Sequence, residues 1–429
     1  MIAAHQGRCE VVVWVLDHWQ WDQDALFQVA KSTSDREVLR RLAAAGLEHS
    51  PDTLFSAALN GNMALLTAAL DAGVPPDSGV SMKSLPGYSD KMYALAIACE
   101  SGHLSCAWAL LMAGADVDRQ GRNGSALSEA ARVGQLECMR LLLKCNADVH
   151  ARDWAGRTAL MEATSARQIE CVRLLLENEA DVHARSDGGR TALNFSKGDF
   201  DMSYHKRDQT ACTRLLLDAG ADVNDADNDS YTALMHAALY GNRSLSPLLE
   251  AGADVFAANA NGFTLMLSAC RSGYMENVLL LDGLGADPHA VSADGTTALM
   301  LACMRGHGDI VRWLIDKNVD LDAVQQDTQH RDAGHTALII SYGDQRRMLI
   351  EAGADLNITD TQGWTALMHD CDNGNINATR ELIAASADLC ESSDDKCAIN
   401  LAVEGQHWPC VNAMAQAYKK LQKAWHGRK

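Results

Sequence analysis

The sequence predicts an all-α solenoid of stacked helix-turn-helix pairs joined by β-hairpin loops, and three observations carry that prediction. The tripeptide Thr-Ala-Leu recurs at Thr158, Thr191, Thr232, Thr297, Thr336 and Thr365, with variants at Ser125-Ala126-Leu127 and Thr264-Leu265-Met266. An aspartate near the end of each unit recurs at 116, 148, 181, 222, 254, 287, 320, 355 and 388, spaced by 32, 33, 41, 32, 33, 33, 35 and 33 residues. Between these markers the apolar residues fall in two short blocks at helical spacing. A period near 33 sustained along 429 residues replaces the roughly two to four globular domains that such a length ordinarily implies.

Residues 294–320 show how one unit is built. Asp294-Gly295-Thr296 is turn chemistry, supplying a positive φ and an Asx-type bond. Thr297 is an N-cap whose hydroxyl accepts from orphan amides of the first turn. Leu299, Ala302 and Cys303 form an apolar stripe, and Gly306 ends that helix in the left-handed conformation. Ile310, Val311, Leu314 and Ile315 mark a second helix. Elsewhere this helix closes with Gly-Ala-Asp, as at Gly220-Ala221-Asp222. Two short helices and a hairpin cannot bury their apolar faces alone, so neighbours must stack.

These residues resemble the ankyrin repeat family. Its motif Thr-Pro-Leu-His-x-Ala is matched here by Thr-Ala-Leu-Met, as at Thr232-Ala233-Leu234-Met235. Alanine at the first helical position loses the φ pre-organisation of proline but is a good helix former. Methionine in place of histidine gives up a polar side chain. The resemblance is strongest over residues 93–390, and about thirteen units can be counted if degenerate repeats at 1–77 and 391–421 are included. The whole of 1–429 then reads as a single ankyrin-type solenoid. Asp24-Ala25-Leu26-Phe27 opens one early unit and Asp52-Thr53-Leu54-Phe55 the next. Met1 aligns with Met235, inside a first helix, which favours a fragment or an incomplete gene model.

Inserted loops are expected at 78–92, 197–208 and 324–331, and the unit around Ser341 to Gln345 is about four residues short between its helices. Arg167 stands where other units place the helix-ending glycine. A basic tail occupies 419–429. The C-terminal segment spaces Met414, Tyr418, Leu421 and Trp425 as an amphipathic helix beside Lys419, Lys420 and Lys423, which reads first as a capping helix with a solvated face.

Several chemistries are excluded by pattern. There is no Cys-x-x-Cys, no phosphate loop ending Gly-Lys-Ser/Thr, no His-Glu-x-x-His and no Gly-x-Ser-x-Gly. The 13 cysteines are mostly locked to the repeat: Cys99, Cys270, Cys303 and Cys371 late in first helices, Cys106, Cys138, Cys171 and Cys212 early in second ones. That register assigns them to packing. His150, His183 and His289 share a hairpin position, and His103 and His307 start second helices. Equivalent positions lie about 10 Å apart, too far for one ion whose His ligands sit about 2 Å away. Asp225-x-Asp227-x-Asp229 resembles a calcium loop, but Ser230 stands at the required glycine and His236 at the bidentate glutamate. No cofactor, no metal and no catalysis are expected.

What remains is binding. In the family that the chain resembles, hairpin tips and first helices line a concave surface, and the residue between Gly and Thr of the hairpin is the variable contact position. That assigns partner contact to Arg157, Arg190, Tyr231, Phe263, Thr296, His335 and Trp364, with Trp154 on the same hairpin as Arg157. Aromatic residues and arginine are enriched in binding hot spots; packing against the next hairpin is the plain alternative for Tyr231 and Phe263. The resemblance also implies that Asn224 and Asn357 occupy the Asp-Val-Asn position that asparaginyl hydroxylases modify. The net charge of −19 repels nucleic acid and anionic membranes and favours basic segments of protein partners. The expectation is therefore a monomeric, intracellular and cytoplasmic scaffold or adaptor. The competing reading is the regulatory or substrate-recruiting region of a larger enzyme, such as a kinase or a ubiquitin ligase subunit.

Overall fold

The computed structural model describes residue 38 and residues 50–81, 91–122, 124–197, 209–239, 245–326, 334–389, 392–393 and 396–426. Of the sequence expectations, the units before residue 50 fall outside these residues, apart from the buried Val38. Most of the 197–208 insertion and residues 327–331 fall outside as well. The chain forms two compact units, residues 1–228 and 229–429.

In the first unit, helices come in pairs: α1 (Pro51–Leu59) with α2 (Met63–Asp71), α3 (Ala94–Glu100) with α4 (Leu104–Met112), α5 (Ala126–Val133) with α6 (Leu136–Lys144) and α7 (Ala159–Ser165) with α8 (Ile169–Glu177). A 3-10 helix, Ala192–Lys197, and α9 (Gln209–Asp218) follow. Val80–Ser81 (β1) pairs antiparallel with Lys91–Met92 (β2) at the base of the first expected insertion. In the second unit the pairs are α10 (Ala233–Leu239) with α11 (Leu245–Glu250), α12 (Leu265–Ser272) with α13 (Met275–Gly283), α14 (Ala298–Arg305) with α15 (Gly308–Asp316), α16 (Ala337–Ile340) with α17 (Gly343–Glu351) and α18 (Ala366–Asp372) with α19 (Ile376–Ala384). Ser392–Ser393 (β3) pairs with Lys396–Cys397 (β4) before α20 (Ala398–Glu404) and α21 (Trp408–His426). This is the all-α repeat solenoid that the spacing predicts.

Two helix roles explain the sequence pattern. First helices are sandwiched between neighbouring repeats, so six consecutive residues, Ala298 to Cys303 in α14, are buried all round. A helix in that position needs apolar or small residues on every face. Second helices bury one stripe, such as Ile310, Val311 and Leu314 in α15, with Ile315 only half-buried. Helices of seven to nine residues are too short to persist alone, so this stacking is what holds them.

Caps follow the motif. The hydroxyls of Thr158, Thr264, Thr297, Thr336 and Thr365 each accept from the backbone N–H three residues on, and Ser125 does the same. Thr191 departs from this. Asn194 stands where Met occurs elsewhere, and its buried Oδ1 accepts from both the N–H and the hydroxyl of Thr191, at 2.9 Å each. The turn tightens into a 3-10 helix in place of the α-helix.

Glycine is demanded at the end of some first helices by a neighbour as well as by φ. A Cβ on Gly273 (φ +85°) would lie 2.2 Å from the ring of His307, whose Nε2 reaches back to the carbonyl of Arg271 at 3.3 Å. His103 to the Leu59 carbonyl, Gln135 to Glu100, Gln168 to Val133 and Gln345 to Gly306 repeat this latch. Arg167, in the same place, adopts φ +57° despite its side chain.

The recurrent aspartate has a local and an inter-repeat duty. Asp148, Asp181, Asp254, Asp287 and Asp355 each accept from the N–H two residues on. Where that second residue also carries an oxygen, it accepts from the next repeat: Asp118 from the Asp148 N–H, Asp322 from Asp355 and Asn357 from Asp388, each at 2.8 Å.

Candidate functional site

Arg157, Arg190, Phe263, Thr296 and Trp364 are each held in their hairpins through the backbone. Asp153 donates its N–H to the Arg157 carbonyl at 2.9 Å, and its Oδ1 accepts from the Arg157 N–H at 2.7 Å. Ser186 and Arg190, Asn259 and Phe263, Ser292 and Thr296, and Asp360 and Trp364 form the same reciprocal pair. Adjacent tips are then stitched by main-chain bonds, Asp187 N–H to Ala155 carbonyl in the first unit and Ala293 N–H to Asn261 carbonyl in the second. The result is a row of side chains presented on rigid turns, which lowers the entropy lost when a surface orders on a partner.

In the first unit, Trp154 stands out from this row with 61% of its surface exposed. Arg157 is committed within its own repeat. Its Nε lies 3.2 Å from Asp153 and its Nη1 3.0 Å from Glu162 of α7. Burial raises the Glu162 carboxyl above the ordinary glutamate range, and the attraction of Arg157 only partly offsets this. Arg190 pairs with Asp227 at 3.2 Å, and Arg185 pairs with Asp225. Two of the three acids that resemble a calcium loop, Asp225 and Asp227, are thus partners of hairpin arginines.

In the second unit, Tyr231 stacks on His236 of α10 with ring centroids 5.3 Å apart. Trp364 packs against His369 of α18 at 5.2 Å. Both aromatics rest on the helix of their own repeat. Phe263 is half-buried, and Thr296 is buried with its hydroxyl accepting from Gln325 at 3.2 Å. His335 comes within 3.7 Å of Asp360, which also meets Nε2 of His369 at 2.7 Å. These three are the residues that could hold a metal ion among the described residues. His335 is one of the contacts the sequence predicts, whereas no sequence pattern singles out His369. His335 occupies a hairpin position of one repeat, while Asp360 and His369 occupy a hairpin and a helix position of the next, so the spacing argument for equivalent histidines does not apply to the cluster.

Beside this cluster the shortened unit opens a cleft of about 810 Å³, lined by Met304, Ile340, Arg346, His369, Asn373 and Glu381 among others. α16 has four residues where α14 has eight, so a turn of helix is missing. Arg346 of α17 fills part of that gap. Its guanidinium, 6% exposed, pairs with Asp370 and donates to the carbonyl of Ser341 at 2.6 Å.

Outside the hairpins, Leu104, Trp108 and Met112 line the outer face of α4 and are 40, 52 and 69% exposed. Their spacing of four was legible in the sequence but was out of phase with the buried Cys106, Ala107 and Leu110. Asn224 and Asn357 are both exposed. In the C-terminal helix, Met414 is buried against Cys371 and Tyr418 is exposed, while the side chains of Leu421 and Trp425 lie outside the described residues. The repeat-locked cysteines Cys99, Cys106, Cys138, Cys171, Cys212, Cys270, Cys303 and Cys371 are all buried. Burial pushes the thiols of Cys270, Cys303 and Cys371 up to about 12.

The sequence model of a family described as "Ankyrin repeats (3 copies)" matches the chain in overlapping windows at residues 54–153, 95–187, 127–203, 201–291, 265–360 and 343–423. No curated protein matches it.

Proposed function

Since those windows run over most of its length, the chain belongs to the ankyrin repeat family, and we propose that it is a non-catalytic scaffold or adaptor that binds partner proteins through its hairpin tips and first helices. Ankyrin repeats are protein–protein interaction modules in general, and a fold of this kind leaves the partner to be set by the surface it displays. The observation that carries the reading is the row of Arg and aromatic side chains on reciprocally bonded turns, with Trp154 exposed at one tip. Trp154, Arg157, Arg190, Tyr231, Phe263, His335 and Trp364 are the proposed contacts. The arginine pairs with Asp153, Glu162 and Asp227 shape the row, and exposed Trp154 with the half-buried Tyr231, Phe263 and Trp364 supplies apolar contact.

The net charge of −19 favours partners that offer basic segments. The proposal extends to a monomer acting in the cytoplasm, where buried free thiols stay reduced. No described helix is long and apolar enough to cross a membrane. Asn224 and Asn357 are proposed as hydroxylation positions, both being exposed. The test is a crosslinking pull-down from the source cells, comparing the chain with a Trp154→Ala, Phe263→Ala, Trp364→Ala triple variant whose helical circular dichroism is unchanged. A specific partner lost from the folded variant supports the hairpin row. Equal recovery of that partner removes the contact from these residues.

A further inference from the structure

The carboxylate of Asp360 faces two imidazoles. Its Oδ1 accepts from the N–H groups of Gln362 at 2.8 Å and Trp364 at 2.9 Å, which fixes the side chain in the hairpin. Its Oδ2 is thereby aimed at Nε2 of His369, 2.7 Å away, and Nε2 of His335, 3.7 Å away. The two rings meet edge to face, with centroids 5.2 Å apart and planes at 79°. The Asp360 side chain is almost fully buried, while His335 and His369 keep a partial exposure.

We propose that His335, Asp360 and His369 form a binding site for a divalent transition-metal ion, with zinc the best match. The donor set is two imidazole nitrogens and one carboxylate oxygen, which suits zinc and its neighbours and not the all-oxygen preference of calcium or magnesium. The three donor atoms lie within 4.8 Å of one another. Zinc holds such atoms at about 2.0–2.2 Å, which in a tetrahedron sets them roughly 3.4 Å apart. The two imidazole-to-carboxylate separations, 2.7 and 3.7 Å, bracket that value, and binding would draw the two rings toward a shared centre. The two backbone bonds to Oδ1 supply the outer support that orients a carboxylate ligand. His369 also lines the cleft opened by the shortened repeat, as does His335, which gives an ion a path in and leaves a fourth position for water.

The test uses the whole chain, reduced, with zinc followed by calorimetry and cobalt followed by its visible d–d absorption. The variants are His335→Ala, His369→Ala and Asp360→Asn. The last keeps an oxygen for the two hairpin N–H groups and loses the ligand, so its fold is retained. A His150→Ala, His183→Ala variant controls for surface histidines. The expected result is one equivalent of tight binding with the absorption of four-coordinate cobalt, weakened at least roughly tenfold in each of the three variants and unchanged in the control. Isotherms that match the wild type in all three variants, or the lack of any one-to-one site, overturn the proposal.

Discussion

Replacing Asp370 with alanine strands a guanidinium in the interior of the second unit. Arg346 and Asp370 keep only 6 and 3% of their side-chain surface exposed, and the other groove-side donor of Arg346 is already bound to the Ser341 carbonyl. Removing one partner of such a pair costs about 3–5 kcal/mol, because the remaining charge loses its counter-charge without regaining water. At about 2–4 °C per kcal/mol for a unit of this size, the transition that includes residues 337–384 should fall by about 6–20 °C. The double variant Arg346→Met, Asp370→Leu removes both charges and keeps volume. It should lie within about 1 kcal/mol of wild type. Urea and thermal unfolding followed by circular dichroism read both. A single variant that costs less than about 1 kcal/mol, or a double variant no better than the single, refutes the view that this ion pair replaces the missing helical turn.

Three further outcomes follow from the same geometry. Gly273→Ala should cost about 2–3 kcal/mol, combining the left-handed backbone with displacement of His307; Gly353→Ala, at φ +88° with open space around it, should cost only about 1–2 kcal/mol, and equal losses in urea melts contradict the latch. The Glu162 carboxyl is raised in the folded state, so the fold holds its proton more tightly than the unfolded chain does. Its contribution is present at low pH and is lost as pH rises from the ordinary glutamate range through the raised value. Glu162→Gln should therefore gain melting temperature relative to wild type between pH 4 and pH 7, and a relative loss over that interval contradicts the assignment. Cys145 is exposed, whereas burial raises the thiols of Cys270, Cys303 and Cys371 to about 12; timed alkylation with mass spectrometry should label Cys145 well before those three.

Much of this architecture was legible because the repeat writes the same physical requirement many times. Thr158, Thr264, Thr297, Thr336 and Thr365 announce their caps, and the apolar blocks on either side of Gly306 separate the sandwiched helix from the one-sided helix. Legibility failed where one residue replaced a repeated one. Asn194 turned a capped α-helix into a 3-10 turn by drawing Thr191 onto its own amide oxygen. The four-residue shortening near Ser341 was countable, yet nothing in the count showed that Arg346 would fill the gap. The cluster of His335, Asp360 and His369 joins a hairpin of one repeat to a hairpin and helix of the next, so no fixed spacing encodes it. Arg157 and Arg190 lie in the hairpins that the repeat marks, but their carboxylate partners depend on side-chain reach, which periodicity does not contain.

The central claim is that partner contact runs through the hairpin row, and photo-crosslinking tests it most directly. A photoreactive amino acid placed singly at Trp154, Phe263 or Trp364, and for comparison at Trp108 and Met112 on the outer face of α4, is irradiated with the captured partner. Covalent adducts are expected from the hairpin positions and few from α4. Adducts concentrated at Trp108 and Met112, with none from the hairpins, contradict it.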